Sequence, residues 1–564
     1  MSKEQQTKRN NLPFIELRDI SFSYSEKNTG RALNNVSFFV DKGERIAILG
    51  HNGSGKSTLV KILGGIFFPD KGEYFIDGVE INKIEFRDLR KKIGMVFQDP
   101  ENQIVAAMVE DDVAFAPENQ GLPSNEIQAR VDAALADANM LHKRDSSVAA
   151  LSGGEKQRIA LAGALAADVE CLILDEATAM LDPKSRYRIE KVLRKLHEKK
   201  LTIIQVTHQI EAENFDDIQR VIVLSRGGIK WQGTTKEFWN MAEDLGFNLP
   251  NEFKIQRFCE DNNINFPFCP TATTQDIKVI SHKVKEKRLN GAVKFKIENL
   301  SFKYENENYA LKNINTEIQS GQWLSIIGRT GSGKSTLVQH LNALYKIQSG
   351  NIFFEGKNLP QKGEEVHELR QRVGLVFQHP EDQLFSSTVK DELAFAPKNA
   401  GFKNSKLEQA ILYGLECVGL DKNFLERSPI ALSGGERRLV AIASVLSAKP
   451  ECVVLDEPLA GLDAHYQNQI LSMLGKLRDE GKTVIMITHD LDVALNYSDK
   501  ILILRNSECI KLGTPQEVLD ELINVLDHEA MPDVLRISSE IKKINKNFPL
   551  LYDYKEFISC ISQI

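Results

Sequence analysis

Short apolar runs alternate with longer stretches of mixed polarity along most of the chain. Runs of this length, set between polar turns, predict buried strands, and the mixed stretches that follow predict helices. The predicted strands lie at residues 45–49, 93–97, 171–174, 201–207, 323–327, 373–377, 452–455 and 483–488. The predicted helices lie at residues 57–63, 156–167, 335–344 and 437–448. This alternation predicts an α/β fold.

The same series of elements occurs twice. Lys334 lies 278 positions after Lys56, and His489 lies 281 positions after His208, so few insertions separate the two halves. At 564 residues the chain is too long for a single hydrophobic core. The repeat therefore predicts two tandem domains of the same fold.

Each half ends in a tail that also repeats, because the segment between Pro250 and Pro267 recurs 282 positions later. In the second tail four apolar residues fall on one helical stripe, namely Val534, Ile537, Ile541 and Ile544. The first tail has a less regular set, namely Phe253, Ile255 and Phe258. Two interpretations stay open: each tail helix packs on its own domain, or it meets its counterpart from the other half.

The predicted organisation has four parts. Residues 1–12 form a polar extension, residues 13–267 the first domain with its tail, residues 268–292 a linker, and residues 293–564 the second domain with its tail. The linker is rich in Thr and Lys and is interpreted as a solvated spacer, with contact to anionic lipid headgroups as the alternative.

A glycine-rich loop of the form G-x-x-x-x-G-K-[ST] joins a predicted strand to a predicted helix in each half. Glycines let backbone N–H groups turn inward around a polyphosphate, the lysine reaches the outer phosphates, and the hydroxyl ligates Mg²⁺. The candidate nucleotide-binding residues of the two loops are Gly50, Asn52, Gly53, Gly55, Lys56, Ser57 and Thr58, and Gly328, Thr330, Gly331, Gly333, Lys334, Ser335 and Thr336.

Paired acids end one buried strand in each half. They are Asp175 with Glu176 and Asp456 with Glu457. A strand of this kind presents both carboxylates at the phosphate end of the sheet, where the aspartate can hold Mg²⁺ and the glutamate can polarise an attacking water. Glu176 and Glu457 are therefore candidate catalytic residues, and Ser57, Asp175, Ser335 and Asp456 are candidate metal ligands.

Upstream of the acids, the sequence Leu-Ser-Gly-Gly-Glu opens a helix-like stretch in both halves. Its serine suits a helix cap, and its glycines expose backbone N–H groups that make a second anion site. The candidate residues are Ser152, Gly153 and Gly154, and Ser433, Gly434 and Gly435. Together with the phosphate loops, these motifs resemble the ATP-binding cassette superfamily over nearly the whole chain.

That resemblance implies further roles at matching positions. Gln98 and Gln378 match the lid glutamine, which also reaches the metal; His208 and His489 match the switch histidine; and Tyr24 and Tyr304 match the aromatic residue that stacks on adenine. Residues 179–182 and 460–463 match the loop that crosses to the partner domain. The implied fold of each domain is a mixed sheet core with a helical subdomain, followed here by a short helical tail.

In this superfamily two cassettes clamp two ATP molecules head to tail. The resemblance implies that Lys56, Gln98, Asp175, Glu176 and His208 work with Ser433 and Gly435. The matching set is Lys334, Gln378, Asp456, Glu457 and His489 with Ser152 and Gly154. Neither site lacks a motif residue. In this respect the chain differs from twin-cassette sugar importers, in which the second site is often degraded.

Charge and hydropathy limit the classes of partner that the chain is expected to bind. A net charge of −7 argues against a nucleic-acid partner. No apolar stretch approaches the roughly 18–20 residues of a membrane-spanning helix, and the N-terminus has no signal-peptide core. Any membrane role is therefore expected to run through a partner protein.

The residues after each lid glutamine are similar to those of the paired ATPases of energy-coupling factor transporters. The relevant segments are 98–104 with 112–119, and 378–385 with 392–399. That family usually has glycine where this chain has Ala116 and Ala396, before a proline. The resemblance implies a peripheral protein on the cytoplasmic face of the cell membrane, where it works with a transmembrane coupling protein and a membrane protein that captures a vitamin or a transition-metal ion.

Two other assignments stay open. The chain is alternatively the ATPase of another importer, such as a sugar importer, or a soluble twin-cassette ATPase that acts on ribosomes. Twin-cassette ATPases that act on ribosomes typically join their halves through a long, highly charged helix, which the predicted linker does not resemble. Apolar Ile104, Leu384 and Phe385 are predicted to dock helices of the coupling protein, or else to pack inside their own domains.

Overall fold

The computed structural model describes residues 12–24, 31–178, 181, 183–208, 217–262, 264, 291–305, 308–525, 531–544, 546 and 548–562. Residues 1–11 of the predicted extension, residues 268–290 of the predicted linker, and Ala179, Met180 and Asp182 of the predicted crossing loop lie outside these ranges. The chain divides into two compact units, Met1–Pro250 and Asn251–Ile564. The predicted end of the first domain at residue 267 stays a prediction.

The first unit contains ten described strands and seven described helices. The strands are β1 Ile15–Phe22, β2 Leu33–Val40, β3 Arg45–Leu49, β4 Lys71–Ile76, β5 Val79–Glu80, β6 Ile93–Val96, β7 Cys171–Asp175, β8 Thr202–Thr207, β9 Arg220–Ser225 and β10 Gly228–Thr234. The helices are α1 Lys56–Leu63, α2 Phe86–Lys92, α3 Val109–Asn119, α4 Ser124–Asp137, α5 Gly153–Ala166, α6 Pro183–Glu198 and α7 Thr235–Met241.

Two sheets organise this unit. An antiparallel sheet has the strand order β2-β1-β4-β5, and a six-stranded sheet has the order β10-β9-β3-β8-β7-β6. In the larger sheet β9, β3, β8, β7 and β6 run parallel, and β10 pairs antiparallel with β9. The carboxyl ends of β3, β7 and β8 therefore meet at one edge, which places the phosphate loop, the acid pair and the switch histidine together.

The second unit repeats this plan. Its strands are β11 Val293–Lys303, β12 Tyr309–Gln319, β13 Trp323–Gly328, β14 Ser349–Phe354, β15 Lys357–Asn358, β16 Val373–Val376, β17 Cys452–Asp456, β18 Thr483–Ile487, β19 Lys500–Arg505 and β20 Glu508–Gly513. The sheet orders are β12-β11-β14-β15 and β16-β17-β18-β13-β19-β20, which match the first unit strand for strand.

The helices of the second unit begin with one from the first tail. They are α8 Asn251–Asp261, α9 Lys334–Leu341, α10 Glu364–Arg372, α11 Val389–Asn399, α12 Asn404–Cys417, α13 Gly434–Leu446, α14 Ala464–Asp479, α15 Leu491–Tyr497, α16 Pro515–Val525, α17 Asp533–Ile544 and α18 Tyr554–Ile561. The prediction of two α/β cassettes with mixed sheets and helical subdomains is thereby confirmed.

Each helical subdomain has an apolar core of its own. In the first unit α3, α4 and α5 pack through Val113, Leu135 and Ile159. In the second unit α11, α12 and α13 lie within one cluster that also reaches the larger sheet. Pro117 and Pro397 lie inside α3 and α11, so alanine rather than glycine before the proline is accommodated within a continuous helix.

The tail helix of the first repeat packs against the tail of the second. Ile255 and Cys259 of α8 share a buried cluster with Val534 of α17 and Phe557 of α18. The Glu252 backbone N–H donates to Asp533 Oδ2 at 3.1 Å. Of the two sequence interpretations, the structure shows the one in which α8 meets its counterpart α17.

The two larger sheets differ in one buried cluster. Arg45 at the start of β3 is 0% exposed and forms an ion pair with Glu190 of α6, which is 2% exposed. Arg45 also donates to Gln205 Oε1 on β8 at 2.9 Å. The corresponding positions of the second unit are Trp323, Leu471 and Met486, all buried and apolar. The first unit therefore holds a buried charge pair where the second has a hydrophobic core.

Across the described ranges, no helix has both the length and the apolar content needed to cross a lipid bilayer.

Candidate functional site

The phosphate loops require glycine at the residue before the lysine. Gly55 and Gly333 cap α1 and α9 with φ of 102° and 96°. A Cβ on Gly55 would lie 2.7 Å from the carbonyl oxygen of Ala32, and one on Gly333 would lie 2.1 Å from that of Ala310. Both the left-handed conformation and the close backbone approach exclude a side chain. The loop can thus turn its N–H groups inward.

Each loop lysine is buried inside the turn of its own loop. Lys56 Nζ donates to the carbonyl oxygens of Gly50 and His51 at 2.8 and 3.2 Å. Lys334 Nζ donates to those of Gly328 and Arg329 at 2.9 and 3.0 Å. The sequence predicts that these ammonium groups bind the outer phosphates, which are stronger acceptors than carbonyls because they carry charge.

The candidate catalytic glutamates lie in a strained backbone conformation. Glu176 and Glu457 both have φ of 49°, a left-handed value that is uncommon for a residue other than glycine. Each is held there by its backbone N–H, which donates to Val206 and Ile487 respectively at 2.9 and 3.1 Å. Such strain persists where the surrounding structure fixes it, and it is frequent at active sites. The motif pattern gave no sign of this feature.

In the first unit Glu176 is held by two basic groups. Its Oε1 lies 3.2 Å from Lys56 Nζ, and its Oε2 lies 3.1 Å from His208 Nδ1. Burial raises the pKa of Glu176, but the hydrogen bond and charge of His208 and the charge of Lys56 outweigh it and bring the pKa to about 2. The carboxylate is therefore ionised at neutral pH, as a general base must be.

In the second unit Glu457 has a different set of partners. His489 Nε2 lies 2.6 Å from its Oε1, and Gln378 Nε2 donates to its Oε2 at 3.2 Å. Burial raises the pKa of Glu457, while the bonds and charges of His489, Lys334 and Gln378 lower it more. The structure thus brings the predicted glutamate, histidine and lid glutamine together here. In the first unit, Gln98 follows β6 at the matching place.

The aspartates that end β7 and β17 suit a divalent cation. Among the described residues, Oδ1 of Asp175 and Oδ1 of Asp456 are buried without a hydrogen-bond partner. Burial and the neighbouring Glu176 raise the pKa of Asp175 to about 6. A buried carboxylate oxygen that lacks a donor is stabilised by a cation, and Mg²⁺ prefers oxygen ligands. These aspartates and the hydroxyls of Ser57 and Ser335 fit Mg²⁺.

The two Leu-Ser-Gly-Gly-Glu segments, 151–155 and 432–436, are called the signature motifs below. Their serines cap the helices that follow through a reciprocal pair of hydrogen bonds. Ser433 Oγ accepts from the Glu436 N–H at 3.3 Å, and the Ser433 N–H donates to Glu436 at 2.8 Å. Ser152 and Glu155 form the same pair in the first unit. Both glutamates therefore fix the start of the helix. A Cβ on Gly154 would lie 2.6 Å from Ser185 Oγ, so this glycine also serves close packing.

The two candidate base-stacking tyrosines stand beside their phosphate loops. The Tyr24 hydroxyl lies 3.0 Å from Thr58 Oγ1, and the Tyr304 hydroxyl lies 2.9 Å from Thr336 Oγ1. Each ring contacts a phenylalanine edge to face, and Tyr24 is 58% and Tyr304 37% exposed. An exposed aromatic face next to a phosphate loop is suited to stack on a nucleotide base.

Sequence reasoning missed Arg438. This residue holds the segment 378–384 of the second unit, which begins at the lid glutamine and is called the lid loop below. This buried residue of α13 forms an ion pair with Glu381 at 3.0 Å, and it donates to the carbonyl oxygens of Gln378, at 3.3 Å, and Ala460. In the first unit Gln157 takes its position and donates to the Phe97 carbonyl oxygen at 3.0 Å. Both lie five residues after the signature serine, and that fixed spacing was the available signal.

Comparisons with known proteins agree with this arrangement. A family model described as ABC transporter matches residues 33–179 and 311–460. The chain is similar to a putative ABC transporter ATP-binding protein of Caldanaerobacter subterraneus, at 32% identity over 97% of this chain and 98% of the relative. It is also similar to a putative ABC transporter ATP-binding protein of Methanosarcina mazei, at 32% identity over 89% of each chain.

Among solved structures, the chain is similar to cbiO1 from Clostridium perfringens, described as part of the ABC transporter complex cbiONQ. The identity is 33%, the match covers 42% of this chain and 96% of that chain, and the TM-score is 0.38.

Proposed function

The chain belongs to the ABC transporter family, and from that premise we propose that it energises an importer of the energy-coupling factor type, which takes up a vitamin or a transition-metal ion. It is an ATP-binding subunit that carries two cassettes in one chain, and its activity is ATP hydrolysis coupled to transport. The importer type, the membrane partners and the residue roles are what we propose.

The proposed chemistry starts from the ionised glutamates. Glu176 and Glu457 orient and polarise the water that attacks the γ-phosphate, while His208 and His489 hold their carboxylates in place. Lys56 and Lys334 bind the outer phosphates and stabilise the charge that develops during transfer. Bound Mg²⁺, held by Asp175 or Asp456 and the loop hydroxyl, would neutralise charge on the β- and γ-phosphates.

Each ATP is proposed to lie between the phosphate loop of one cassette and the signature of the other. Lys56 would then work with Ser433 and Gly435, and Lys334 with Ser152 and Gly154. Gly153 and Gly434 support this role, since a Cβ on either would meet nothing within 4 Å, which leaves space for an anion at the start of each helix.

The observation that carries the importer proposal is an exposed apolar pair beside each lid glutamine. Phe385 is 66% exposed and its ring meets Phe395, itself 50% exposed, edge to face at 4.9 Å between centroids. The first cassette places Val105, 63% exposed, and Phe115, 51% exposed, at the corresponding positions. Exposed apolar groups at one place in both copies indicate a contact surface.

A buried carboxylate fixes this surface in each cassette. Glu392 of α11 accepts hydrogen bonds from the backbone N–H groups of Phe385 and Ser386 at 3.2 and 2.9 Å. Asp112 of α3 accepts from those of Val105 and Ala106 at 2.7 and 3.1 Å. The exposed side chains are therefore presented by an ordered backbone, which lowers the entropy cost of binding.

Two residues of the predicted docking set lie elsewhere. Ile104 and Leu384 are partly buried and pack against the helical cores of their own units, in agreement with the alternative that they pack inside their own domains. The backbone bonds to Asp112 and Glu392 explain this, because they turn each apolar residue before Val105 or Phe385 toward the domain interior. Phe385 alone of the predicted three is on the surface.

The occupant we propose is a helix of the transmembrane coupling protein. Phe385 follows Gln378 by seven positions in the sequence, and Gln378 donates to Glu457, so a helix docked on Phe385 would lie on the segment that leads from this glutamine. The chain would thereby lie peripherally on the cytoplasmic membrane face.

The test replaces Phe385 with Asp. Assembly with the co-expressed membrane partner and transport should be lost, while the melting temperature and basal ATP hydrolysis are kept. Ile510→Asp, an exposed apolar residue on β20, is the matched control and should leave assembly intact. An intact complex with normal transport would end the docking proposal. Sedimentation with ribosomes instead of membranes would favour the ribosomal alternative.

A further inference from the structure

The first phosphate loop contacts a segment that follows the nucleotide-binding core. The ring of His51, the second residue of the loop, stacks on Phe247 with 5.2 Å between centroids and 11° between planes. Phe247 is buried and meets Phe238 edge to face at 5.9 Å. Although His51 is exposed overall, one face of its ring thus rests on a fixed aromatic base.

The segment that carries Phe247 is shaped to admit this ring. Gly246 has φ of +93°, and a Cβ there would lie 3.2 Å from His51 Nε2. Lys230 Nζ donates to the carbonyl oxygen of Leu245 at 3.3 Å and ties the segment to β10. Both the conformation and the space at residue 246 favour glycine, which makes the stack a built contact.

The stacked residue also closes the turn of the loop. The His51 carbonyl oxygen accepts from Lys56 Nζ at 3.2 Å and from the Ser54 N–H at 3.1 Å. Fixing the ring of His51 therefore fixes the carbonyl that holds both the lysine and the loop. A loop that is ordered before ligand arrives pays less entropy on binding.

The second cassette has a different residue set at this place. Arg329 stands at the position of His51, and the 282-residue offset of the tails puts Glu529 at the position of Phe247. Glu529 lies outside the described residues. By sequence, the histidine–phenylalanine stack belongs to the first loop only.

We propose that Phe247 is a positioning residue for ATP binding at the first phosphate loop, acting through its stack on His51. The stack holds the loop in its binding conformation and strengthens MgATP binding at that loop, with no effect on the second. This inference rests on ATP binding by the family and is independent of which importer the chain serves.

The test measures MgATP affinity by calorimetry on the full chain in two backgrounds. Both carry Glu176→Gln and Glu457→Gln so that ATP is not consumed. One also carries Lys334→Ala, which weakens binding at the second loop, and the other carries Lys56→Ala, which weakens binding at the first. Phe247→Leu keeps an apolar side chain but removes the ring.

In the Lys334→Ala background, Phe247→Leu should raise the Kd for MgATP roughly 2- to 12-fold, the fold-change that corresponds to about 0.5–1.5 kcal/mol for an aromatic pair. In the Lys56→Ala background the Kd should stay unchanged. Phe247→Tyr, which keeps the ring, should restore the affinity. An unchanged Kd in the first background, or equal changes in both, would overturn the proposal.

A double-mutant cycle separates the stack from general destabilisation. His51→Ala, on an exposed residue, should give the same Kd change as Phe247→Leu, and the two together should give no more than either alone. Additive effects would show that the residues act independently and would overturn the proposal. The cycle also serves if Phe247→Leu fails to fold, because His51→Ala and His51→Phe then provide the loss and the rescue.

Discussion

Glu190→Leu should strongly destabilise the first unit, because it leaves Arg45 buried without its ionic partner. Arg45 is 0% exposed, and its Nε and Nη1 have no hydrogen-bond partner among the described residues, so Glu190 and Gln205 carry most of its compensation. Asp217 lies 3.9 Å from Nη1 and is the remaining nearby acid. Water cannot readily replace Glu190 at a site this deep.

The expected loss is about 3–5 kcal/mol, the typical effect of removing one partner of a buried ion pair. For a unit of this size that corresponds to a fall in Tm of about 6–20 °C. Replacing the whole cluster should be far milder. The triple variant Arg45→Met, Glu190→Leu, Gln205→Met should be within about 1 kcal/mol of the wild type or more stable, because no charge is left buried.

The second unit explains why the triple variant should be mild. It folds the same strand and helix positions with Trp323, Leu471 and Met486, all buried. An apolar version of this cluster is therefore compatible with the cassette backbone. The charged version in the first unit is a local choice of sequence and is not required by the fold.

Arg45→Met removes the other partner of the ion pair, and its effect on stability should depend on pH. Burial already raises the pKa of Glu190 although Arg45 and Gln205 counteract it, so removal of Arg45 raises that pKa further. A carboxyl with a raised folded pKa keeps its proton when folded, and stability is then lost as pH rises through that range. Arg45→Met should be closer to wild type at pH 5 than at pH 8.

The assay is fluorescence-detected unfolding in a Trp323→Phe background. The chain has three tryptophans, and the other two, Trp231 and Trp239, both lie in the first unit. Their signal therefore reports this unit alone. A loss below about 1 kcal/mol in Glu190→Leu, or a triple variant as unstable as the single, would refute the reasoning.

Three further predictions concern the candidate active-site groups and Asp492 of α15. Glu176→Gln or Glu457→Gln should keep ATP binding but slow hydrolysis roughly 10²- to 10⁴-fold, since the base is lost while the phosphate contacts stay; wild-type turnover in a purified single variant would contradict this. Because burial and Glu176 raise the pKa of Asp175 to about 6, Mg²⁺ binding should release protons below that pH and almost none at pH 8. Calorimetry in buffers of different ionisation enthalpy measures the release, and Asp175→Asn should reduce it. Burial and the neighbouring acids raise the pKa of Asp492 to about 7, so Asp492→Asn should raise Tm more at pH 8 than at pH 5, and the exposed Asp520→Asn should change neither.

Sequence patterns predicted the elements of the active site because their chemistry needs fixed residue types at fixed spacing. A phosphate loop between a strand and a helix, and an acid pair at a strand end, have few structural solutions. Small shifts occurred at element ends. The helix predicted at residues 335–344 ends at Leu341, because Asn342 leaves the helical conformation and Ala343 takes a positive φ.

Contacts between segments far apart in sequence could not be predicted in this way. The stack of His51 on Phe247 joins residues 196 positions apart, and neither belongs to a motif that names the other. Arg438 holds the lid loop through backbone carbonyl oxygens and through Glu381, which lies 57 positions away, and its fixed spacing after Ser433 does not identify these partners. For Ile104 and Leu384 the sequence left docking and packing inside their own domains both open, because the turn that buries them depends on backbone bonds to Asp112 and Glu392.

The two candidate catalytic centres share one motif set, and the printed contacts of the glutamate differ between them. In the first, Glu176 lies 3.2 Å from Lys56 Nζ, the group that is proposed to bind the outer phosphates. In the second, Gln378 donates to Glu457, and the exposed pair Phe385 and Phe395 follows Gln378 in the sequence. If ATP binds at the first phosphate loop as proposed, its phosphates would compete with Glu176 for the Lys56 ammonium group. If a membrane partner docks at the second surface as proposed, its effect would reach Glu457 through Gln378.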